Sequence, residues 1–424
     1  MISEFFYDLS NIEELKELMN KEDNYELKIL NKHLCNSPLS NQQYKVIRYN
    51  KNLLCKEYIP TYGLCRSIIF NKNNKVIGFS PPKSIPSDEF ILKYPSSSSS
   101  DEIVAEDIVA EEFIEGTMIN VFWDPDCGLT GCWEISTRNC VGAETSFYKY
   151  KNAKTFRTMF LETLTSCNLN LDYLDKDFCY SFVLQHPENR IVVPFFKPQL
   201  YLVSVFTIIQ SKNLLNIYPC RMKKVKECTN WSNTTVKFPE TYEFRNYSDL
   251  IEKYASMNTS YNILGVVFYN VKTGERCKVR NPVYEQVRQL KGNQPKLQYQ
   301  YLVLRKEGRV SEYLTYFPET KKIFSQFRDQ MHLFTKTLYS NYISCFIKKE
   351  KTLLEYPEQF RCHMFSLHQF FLNDLREKKL FVNSSFVIKY VNDLHPSQPM
   401  FSLNYQMRKR NIDFQTMEPI DQDN

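Results

Sequence analysis

The sequence predicts an α+β protein in which an antiparallel-sheet domain precedes an all-helical C-terminal domain. From residue 43 to about residue 270, short apolar runs bounded by turn residues are typical of strands. Helical stretches interrupt these strands irregularly, which favours an α+β domain over a doubly wound parallel sheet. After about residue 300, apolar residues recur every three or four positions, the period of a helix.

The first elements predicted are helices. Ser10 followed by Glu13 forms a capping-box pattern in front of "IEELKELM". The stretch "ELKILNKHL", residues 26–34, predicts a second helix. A helical lead-in over about residues 1–40 is therefore expected.

Strands follow, and Asn73-Asn74 supplies a hairpin turn between two of them. The serine run at 95–100 and the repeated "IVAED-IVAEE" predict a flexible acidic and serine-rich insert over about residues 94–112. The predicted strands are "YKVIRY", "CRSIIF", "KVIGFS", "TMINVFWD", "WEISTR", "YSFVLQH", "IVVPFF", "LYLVSVFTI" and "ILGVVFYN".

The C-terminal region carries two apolar stripes at helical spacing, interpreted as core packing. The domains expected are 1–300, rich in strands, and 301–410, all helical, followed by a disordered tail over 411–424. The first stripe consists of Ile323, Phe327, Met331, Phe334, Leu338, Tyr342 and Phe346, and the second of Phe360, Met364, Leu367, Phe371 and Leu375.

Composition restricts the class of protein. The thirteen cysteines are an odd number without CxxC pairs or zinc-type spacing, which favours reduced thiols and a cytoplasmic location over a disulfide scaffold. No apolar run has the length of a membrane span, and the first residues lack a secretory signal pattern. Residues 271–350 hold 16 Lys/Arg against 7 Asp/Glu, which indicates an anionic partner such as nucleic acid.

Six stretches in order, over roughly residues 45–290, resemble the bacteriophage-type (T-even phage-like) RNA ligases of the covalent nucleotidyltransferase superfamily, including relatives from large DNA viruses. The attachment motif of that family is E-K-x-D-G-[ST], which "EFIEGTMI" resembles. The sharpest match is "PENRIV", residues 187–192. The stretches are "CRSIIF" (65–70) with "PPKS" (81–84), "EFIEGTMI" (112–119), "ISTRNCVG" (135–142), "SFVLQHPENRIVV" (181–193), "LGVVF" (264–268) and "CKVRNPVY" (277–284).

The resemblance implies a nucleotidyltransferase (ATP-grasp-like ligase) fold and a specific chemistry. In such ligases a lysine amine attacks the α-phosphorus of ATP and keeps AMP on the enzyme. Carboxylates hold the ribose and a divalent metal, which offsets triphosphate charge. Basic residues of the closing motif clamp the phosphates.

Three positions depart from that chemistry. Phe113 stands in the lysine slot and has no nucleophilic atom. Val183 and Leu264 stand where the family has glutamates. Because an unpaired buried carboxylate is unfavourable, apolar replacements are stabilising once metal and nucleotide binding lapse.

The charged positions of the family remain, and the resemblance implies that they bind the phosphates of a nucleotide or RNA. Glu115 keeps the acid of the attachment motif, and the closing motif reads Lys-x-Arg instead of Lys-x-Lys. The predicted phosphate-binding set is Arg66, Lys83, Glu115, Arg138, Arg190, Lys278 and Arg280.

These observations predict a pseudoenzyme that binds RNA (an end, a cap or a phosphate) or a nucleotide, as a scaffold in viral mRNA handling or translation. No metal or other cofactor is expected; RNA is the expected partner, with a protein docked through the helical domain. The host cytoplasm, a viral factory or the virion is the expected location. One alternative is an active ligase using ATP and Mg, with Lys83, Lys93 or Lys278 as a displaced nucleophile. The other is a structural or virion protein with a relic cleft.

Overall fold

The computed structural model describes residues 2–20, 27–95, 107–147 and 153–409. The chain divides into two compact units, Met1–Arg288 and Gln289–Asn424. The first contains the strands and the second is helical, so the predicted order of an α+β region and a helical region is confirmed. The change was expected at residue 300, which lies inside a helix of the second unit.

The strands form three sheets in which all neighbouring strands are antiparallel. In chain order they are β1 (Tyr7–Asp8), β2 (Leu30–Asn36), β3 (Gln43–Tyr49), β4 (Ile68–Phe70), β5 (Val76–Phe79), β6 (Ile108–Glu112), β7 (Thr117–Asp124), β8 (Cys132–Ser136), β9 (Phe178–Gln185), β10 (Gln199–Ser211), β11 (Leu214–Pro219), β12 (Thr241–Tyr242), β13 (Gly265–Asn270) and β14 (Arg276–Arg280). The sheet orders are β1-β11-β10-β9-β7-β8, β12-β6-β13-β14 and β2-β3-β4-β5.

The helices cover the sheets in the first unit and pack on one another in the second. In chain order they are α1 (Glu13–Met19), α2 (Ser87–Lys93), α3 (Phe156–Ser166), α4 (Met222–Lys226), α5 (Tyr247–Tyr254), α6 (Pro282–Lys291), α7 (Leu297–Lys306), α8 (Val310–Tyr316), α9 (Lys321–Tyr342), α10 (Glu358–Phe370), α11 (Ser384–Asp393) and α12 (Ser397–Leu403).

Two separate apolar cores fix the sheets that matter for the site. Helix α3 buries Phe160 against Phe182 of β9 on the six-stranded sheet. Helices α2 and α5 bury Phe90 and Tyr247 against Phe268 of β13, on one face of the sheet β12-β6-β13-β14. The opposite face of that smaller sheet carries Glu111 of β6 and the basic residues Arg276, Lys278 and Arg280 of β14.

The prediction of a helical lead-in is wrong beyond α1. Residues 30–36 of the predicted second helix form strand β2, which pairs with β3 from Leu30↔Tyr49 to Asn36↔Gln43. Leucine spacing mimicked a helix, but seven paired residues override that local preference. Ser10 does not cap α1; its hydroxyl accepts a hydrogen bond from the Leu215 amide at 2.8 Å.

Two predictions near the site also fail. Residues 96–106 of the expected insert lie outside the described part of the chain, but residues 108–112 form β6, an inner strand flanked by β12 and β13. The stretch "IVVPFF" forms no strand, because the amides of Val192 and Val193 bond to a side chain, that of Glu115. The remaining predicted strands are present.

In the second unit, the predicted stripe is correct over the later turns of α9, where Met331, Phe334, Leu338 and Tyr342 are buried. At the start of the helix Ile323 is 39% exposed, and Phe324, which the stripe did not include, is buried instead. Helix α9 and helix α10 each continue into a π-helical turn, Ile343–Ile347 and Phe371–Leu375. Within the described ranges, no helix is long and apolar enough to cross a membrane. The tail expected at 411–424 lies outside them.

Gly116 is the position between β6 and β7 where the backbone requires glycine. Its φ is +151°, and an added Cβ would lie 2.5 Å from the Leu184 carbonyl oxygen and 2.6 Å from Val183 Cγ1. A side chain there would push β7 away from β9. The attachment stretch runs into β7, and the "PENRIV" stretch follows β9.

We therefore predict that Gly116→Ala lowers the free energy of unfolding of the first unit by about 1–3 kcal/mol. The matched control is Gly128→Ala, also at positive φ (+62°) but with nothing within 4 Å of the added Cβ. Urea unfolding followed by tryptophan fluorescence reports on this unit, because Trp123, Trp133 and Trp231 all belong to it. Equal losses in the two variants would contradict the steric explanation.

Candidate functional site

Strand β14 carries the basic side chains of the candidate site. Side chains alternate along a strand, so Arg276, Lys278 and Arg280 share one face, and Cys277 and Val279 share the other. Cys277 is fully buried in the core beneath α2 and α5. The three cations therefore lie on the face of the sheet opposite that core.

Phe113, which follows β6, lies against these cations. Its amide donates to the Gly265 carbonyl oxygen at 3.4 Å, which holds the end of β6 beside β13. The Lys278 Nζ lies 4.8 Å from the centroid of the Phe113 ring, and the Arg280 guanidinium lies 6.0 Å from it. The ring of Phe113 thus lies within cation–π distance of both Lys278 and Arg280.

Further arginines approach from β3, from the turn before β4 and from the turn after β8. The Arg138 guanidinium lies 5.0 Å from the centroid of the Tyr49 ring, and its Nε donates to the Arg66 carbonyl oxygen at 3.5 Å. Arg48 donates to the Asn139 side-chain oxygen. We call the whole set the cation row: Arg48, Arg66, Arg138, Arg276, Lys278 and Arg280.

Burial and neighbouring cations lower the pKa values of three members of the cation row. Burial, followed by the charges of Arg276, Arg66 and Arg280, lowers the pKa of Lys278 to about 6. Burial, followed by Arg276 and Arg138, lowers the pKa of Arg66 to about 10. Burial, followed by Arg138, lowers the pKa of Arg48. The charged forms of Lys278, Arg66 and Arg48 are therefore destabilised by burial and by neighbouring cations.

Acidic side chains compensate the charge of Arg280 and, in part, that of Arg276. Arg280, about half exposed, forms an ion pair with Glu285 at 3.4 Å. The charge of Glu111 acts on Arg276, and burial is the main cause of the raised pKa of Glu111. In the described part of the chain, the other five members of the cation row form no ion pair within 4 Å. The row is therefore a strong candidate for binding an external anion.

Arg48 and Arg276 were missed by the sequence analysis because neither stands at a family position quoted there. Alternation along β14 could have placed Arg276 beside Lys278, since the two are two residues apart. No comparable signal marks Arg48. Its position depends on the pairing of β3 and on the turn that holds Asn139.

Two other predicted residues form a separate group. Glu115 is buried, and its carboxylate accepts hydrogen bonds from the amides of Val192 at 2.7 Å and Val193 at 3.0 Å. The Arg190 Nε donates to the Val192 carbonyl oxygen at 2.9 Å. Both side chains thus brace the loop after the "PENRIV" turn.

Lys83 is half-buried on the loop that leads away from β5. Its amide donates to the Gly63 carbonyl oxygen at 2.9 Å. The preceding Pro82 accepts a hydrogen bond from Arg276 at 2.5 Å. The loop of Lys83 therefore contacts the cation row through its backbone.

The two positions at which the resemblance predicts carboxylates are apolar and buried. Val183 is 6% exposed in β9, opposite Met118 of β7, and Leu264 is 8% exposed just before β13. Beside Leu264 and Phe113 lies a pocket of about 110 Å³, well below the roughly 300–1,000 Å³ of sites that hold small molecules. The other lining residues include Glu115, Tyr242 and Tyr254.

The residues present do not fit the divalent metal that the resemblance implies. Valine and leucine side chains supply no oxygen ligand, whereas Mg²⁺ requires carboxylates or phosphates. Within the ranges that the structure describes, no group of three or more His, Cys, Asp or Glu residues could hold a metal ion. Phosphate groups, in contrast, suit the guanidinium-rich cation row.

Comparison with known proteins gives viral relatives. No protein-family model matches the chain. It is 22% identical over 288 residues to an RNA ligase of Rhodothermus phage RM378, covering 61% of this chain and 64% of that protein. It is 22% identical over 398 residues to an immediate-early protein ICP-46 homolog of Invertebrate iridescent virus 6, covering 83% and 82%. An archaeal ATP-dependent RNA ligase structure aligns over 70% of this chain and 67% of its own, with 11% identity and a TM-score of 0.38.

The match to the phage protein confirms the resemblance to RNA ligases that the motifs indicated, and both sequence relatives are viral. The chain spans just under two thirds of the length of the phage RNA ligase.

We predict that Lys278→Met raises the free energy of unfolding of the unliganded protein at pH 7 by about 1 kcal/mol. The pKa of Lys278 falls from its ordinary value of 10.5 in the unfolded chain to about 6 in the folded one. Between these values the unfolded chain binds more protons, so the native state loses stability as the pH falls from about 10 to 6.

The gain from Lys278→Met should therefore grow as the pH is lowered from 9 to 6, measured by urea unfolding at each pH. Lys72→Met, at an exposed lysine, is the control and should show no such trend. A gain that does not change with pH, or a loss, would contradict a buried and repelled amine.

Proposed function

Because the chain resembles viral RNA ligases, we propose that it is a catalytically inactive RNA-ligase-like protein that binds a phosphate of an RNA end, a cap or a nucleotide. The observation that supports this most is the cation row around Phe113. The lysine slot holds an aromatic ring, and that ring lies 4.8 Å from Lys278 Nζ. The anion-binding half of a ligase site is retained without its nucleophile.

Phosphate binding follows from the chemistry of the cation row. Guanidinium groups donate paired hydrogen bonds to phosphate oxygens, and such charge-assisted bonds are among the strongest in proteins. A bound phosphate would offset the repulsion that Arg276 and Arg138 exert on Arg66. Lys278 would take up a proton on binding, because a nearby negative charge raises its pKa.

Catalysis lacks several components. Adenylylation requires an amine that attacks the α-phosphorus, and Phe113 supplies none. It also requires carboxylates for the metal that neutralises the triphosphate, and Val183 and Leu264 supply none. The remaining acid of the attachment motif, Glu115, already accepts backbone hydrogen bonds from Val192 and Val193.

One observation favours an active ligase as a second candidate. The pKa of Lys278, lowered to about 6, leaves its amine mostly neutral at pH 7, and a neutral amine is nucleophilic. Lys93 does not suit this role, because it forms an ion pair with Glu275 at 2.8 Å that raises its pKa. Lys83 lies outside the cation row. Among the three lysines considered, Lys278 is the candidate nucleophile.

The wider role proposed is that of a scaffold in viral mRNA handling or translation, in the host cytoplasm or a viral factory. The helical unit would dock a protein partner. Support for the viral setting comes from the phage and iridovirus relatives. The remaining alternative, a structural or virion protein with a relic cleft, is separated from this proposal by the RNA-binding measurement described below.

We predict that no covalent nucleotide adduct forms when the protein is incubated with ATP or GTP and Mg²⁺. Intact-mass spectrometry under denaturing conditions should show the unmodified chain. Phe113→Lys should also remain unmodified, because the variant restores the amine without the metal carboxylates. A wild-type adduct that disappears in Lys278→Ala would instead establish the active ligase.

We also predict that 5′-phosphorylated single-stranded RNA binds and that affinity falls steeply with salt. Each phosphate contact contributes about −0.7 to the slope of log K against log salt for single strands. In filter binding, Arg276→Ala should weaken affinity and reduce the slope by about one contact, whereas Lys72→Ala should change neither. Absence of binding at low salt would favour the relic cleft.

A further inference from the structure

Phe196, on the loop between β9 and β10, is the most exposed aromatic side chain in the part of the chain that the structure describes. Its exposed fraction is 92%, against 72% for Phe381 and 70% for Tyr173. Phenylalanine is among the side chains most often buried in folded proteins. Nearly the whole surface of this ring is instead open to a ligand.

The loop that carries Phe196 is held in place from both sides. Before it, the buried carboxylate of Glu115 accepts a hydrogen bond from the Val192 amide at 2.7 Å. Pro194 and Pro198 stand two residues before and two residues after Phe196, and each proline fixes its own φ. The ring is therefore presented on a restrained backbone, which reduces the entropy that a ligand must overcome when it binds.

The same loop reaches the cation row. Phe195, the residue before Phe196, lines the pocket of about 110 Å³ together with Phe113. The ring of Phe113 lies 4.8 Å from the Lys278 Nζ and 6.0 Å from the Arg280 guanidinium. The side chain of Arg280 is about half exposed, so an external phosphate can reach this end of the row. Phe196 thus stands beside a pocket that adjoins an accessible cation.

The size of that pocket decides where the base of a bound nucleotide can lie. At about 110 Å³ it is well below the roughly 300–1,000 Å³ of sites that enclose small molecules. A nucleotide with its phosphate at Arg280 must therefore carry its base outside the pocket, on the protein surface. Phe196 offers an exposed ring there, and the next residue, Lys197, is an exposed cation. Proteins that bind single-stranded nucleic acid combine these two features, aromatic rings for bases and basic side chains for the backbone.

We propose that Phe196 is a stacking platform for a nucleobase whose phosphate is bound at the Lys278 and Arg280 end of the cation row. This inference rests on the proposed function and adds a base contact to its phosphate contacts. It also gives Glu115 a positioning role, because the acid of the attachment motif holds the loop that presents the ring.

The test compares 5′-phosphorylated penta-adenylate with the matching abasic chain of ribose phosphates, by competition against a fluorescent 5′-phosphorylated RNA. Phe196→Ala should weaken penta-adenylate about tenfold, the effect of losing one stacked base, and leave the abasic chain unchanged. The slope of log K against log salt should also stay unchanged, because stacking releases no counterions.

Three further variants distinguish stacking from a structural role. Phe196→Trp should restore the affinity for penta-adenylate, and its added tryptophan emission should be quenched by the stacked base. Phe196→Leu keeps an apolar side chain without a ring and should be as weak as Phe196→Ala. Tyr173→Ala is the matched control: Tyr173 is 70% exposed in the same unit but lines a different cavity, with Asn170 and Leu171. It should change no affinity.

AMP and 7-methyl-GTP, measured in the same competition, identify the source of the base. Whichever of the three base-carrying ligands binds most tightly and is weakened by Phe196→Ala is the form recognised: an RNA end, a free nucleotide or a cap.

The outcomes separate this inference from the function on which it rests. Equal affinity of the wild type and Phe196→Ala for every base-carrying ligand would overturn the platform and leave phosphate binding intact. An equal loss for penta-adenylate and the abasic chain would do the same. Absence of binding by every ligand at low salt would overturn both.

Discussion

The interaction on which the site depends is repulsion among cations that the fold holds together. Two antiparallel sheets and the turn after β8 place Arg48, Arg66, Arg138, Arg276 and Lys278 side by side, with no ion pair within 4 Å among the described residues. Apolar cores behind each sheet stabilise this arrangement, since Phe268 and Cys277 anchor the strands from the opposite face. Packing in those cores holds the basic side chains together although their charges repel one another.

The three departures from the ligase chemistry act together at this site. The ring of Phe113 lies against Lys278 and Arg280, a contact that favours the charged form of each side chain. Val183 and Leu264 extend the apolar interior where carboxylates would need a metal to be stable. Glutamates at these two positions would have carried negative charge, and without them the basic residues have fewer acidic neighbours. All three departures accord with the anion receptor proposed above.

Much of this arrangement was predictable from the sequence, and the exceptions have physical causes. Strands such as β7 and β9 follow from apolar runs, and Lys278 and Arg280 follow from the closing motif. Strand β2 was mistaken for a helix because its leucines are three or four apart, and pairing with β3 decides otherwise. Strand β6 was not predicted, because its residues belong to the acidic repeat that was interpreted as an insert. Arg48 was not predictable, because only tertiary contacts bring it beside Arg138 and Asn139.

The most direct measurement is the titration of the Lys278 amine by NMR of lysine-labelled protein, assigned with Lys278→Met, with and without a 5′-phosphorylated oligonucleotide. An anion receptor predicts that the free amine titrates near pH 6. In the saturated complex the same amine should stay protonated above pH 8, because bound phosphate replaces cationic neighbours as the dominant charge. A Lys278 amine that titrates at its ordinary pKa when free, or whose titration the oligonucleotide leaves unchanged, would contradict the cation row as a phosphate site.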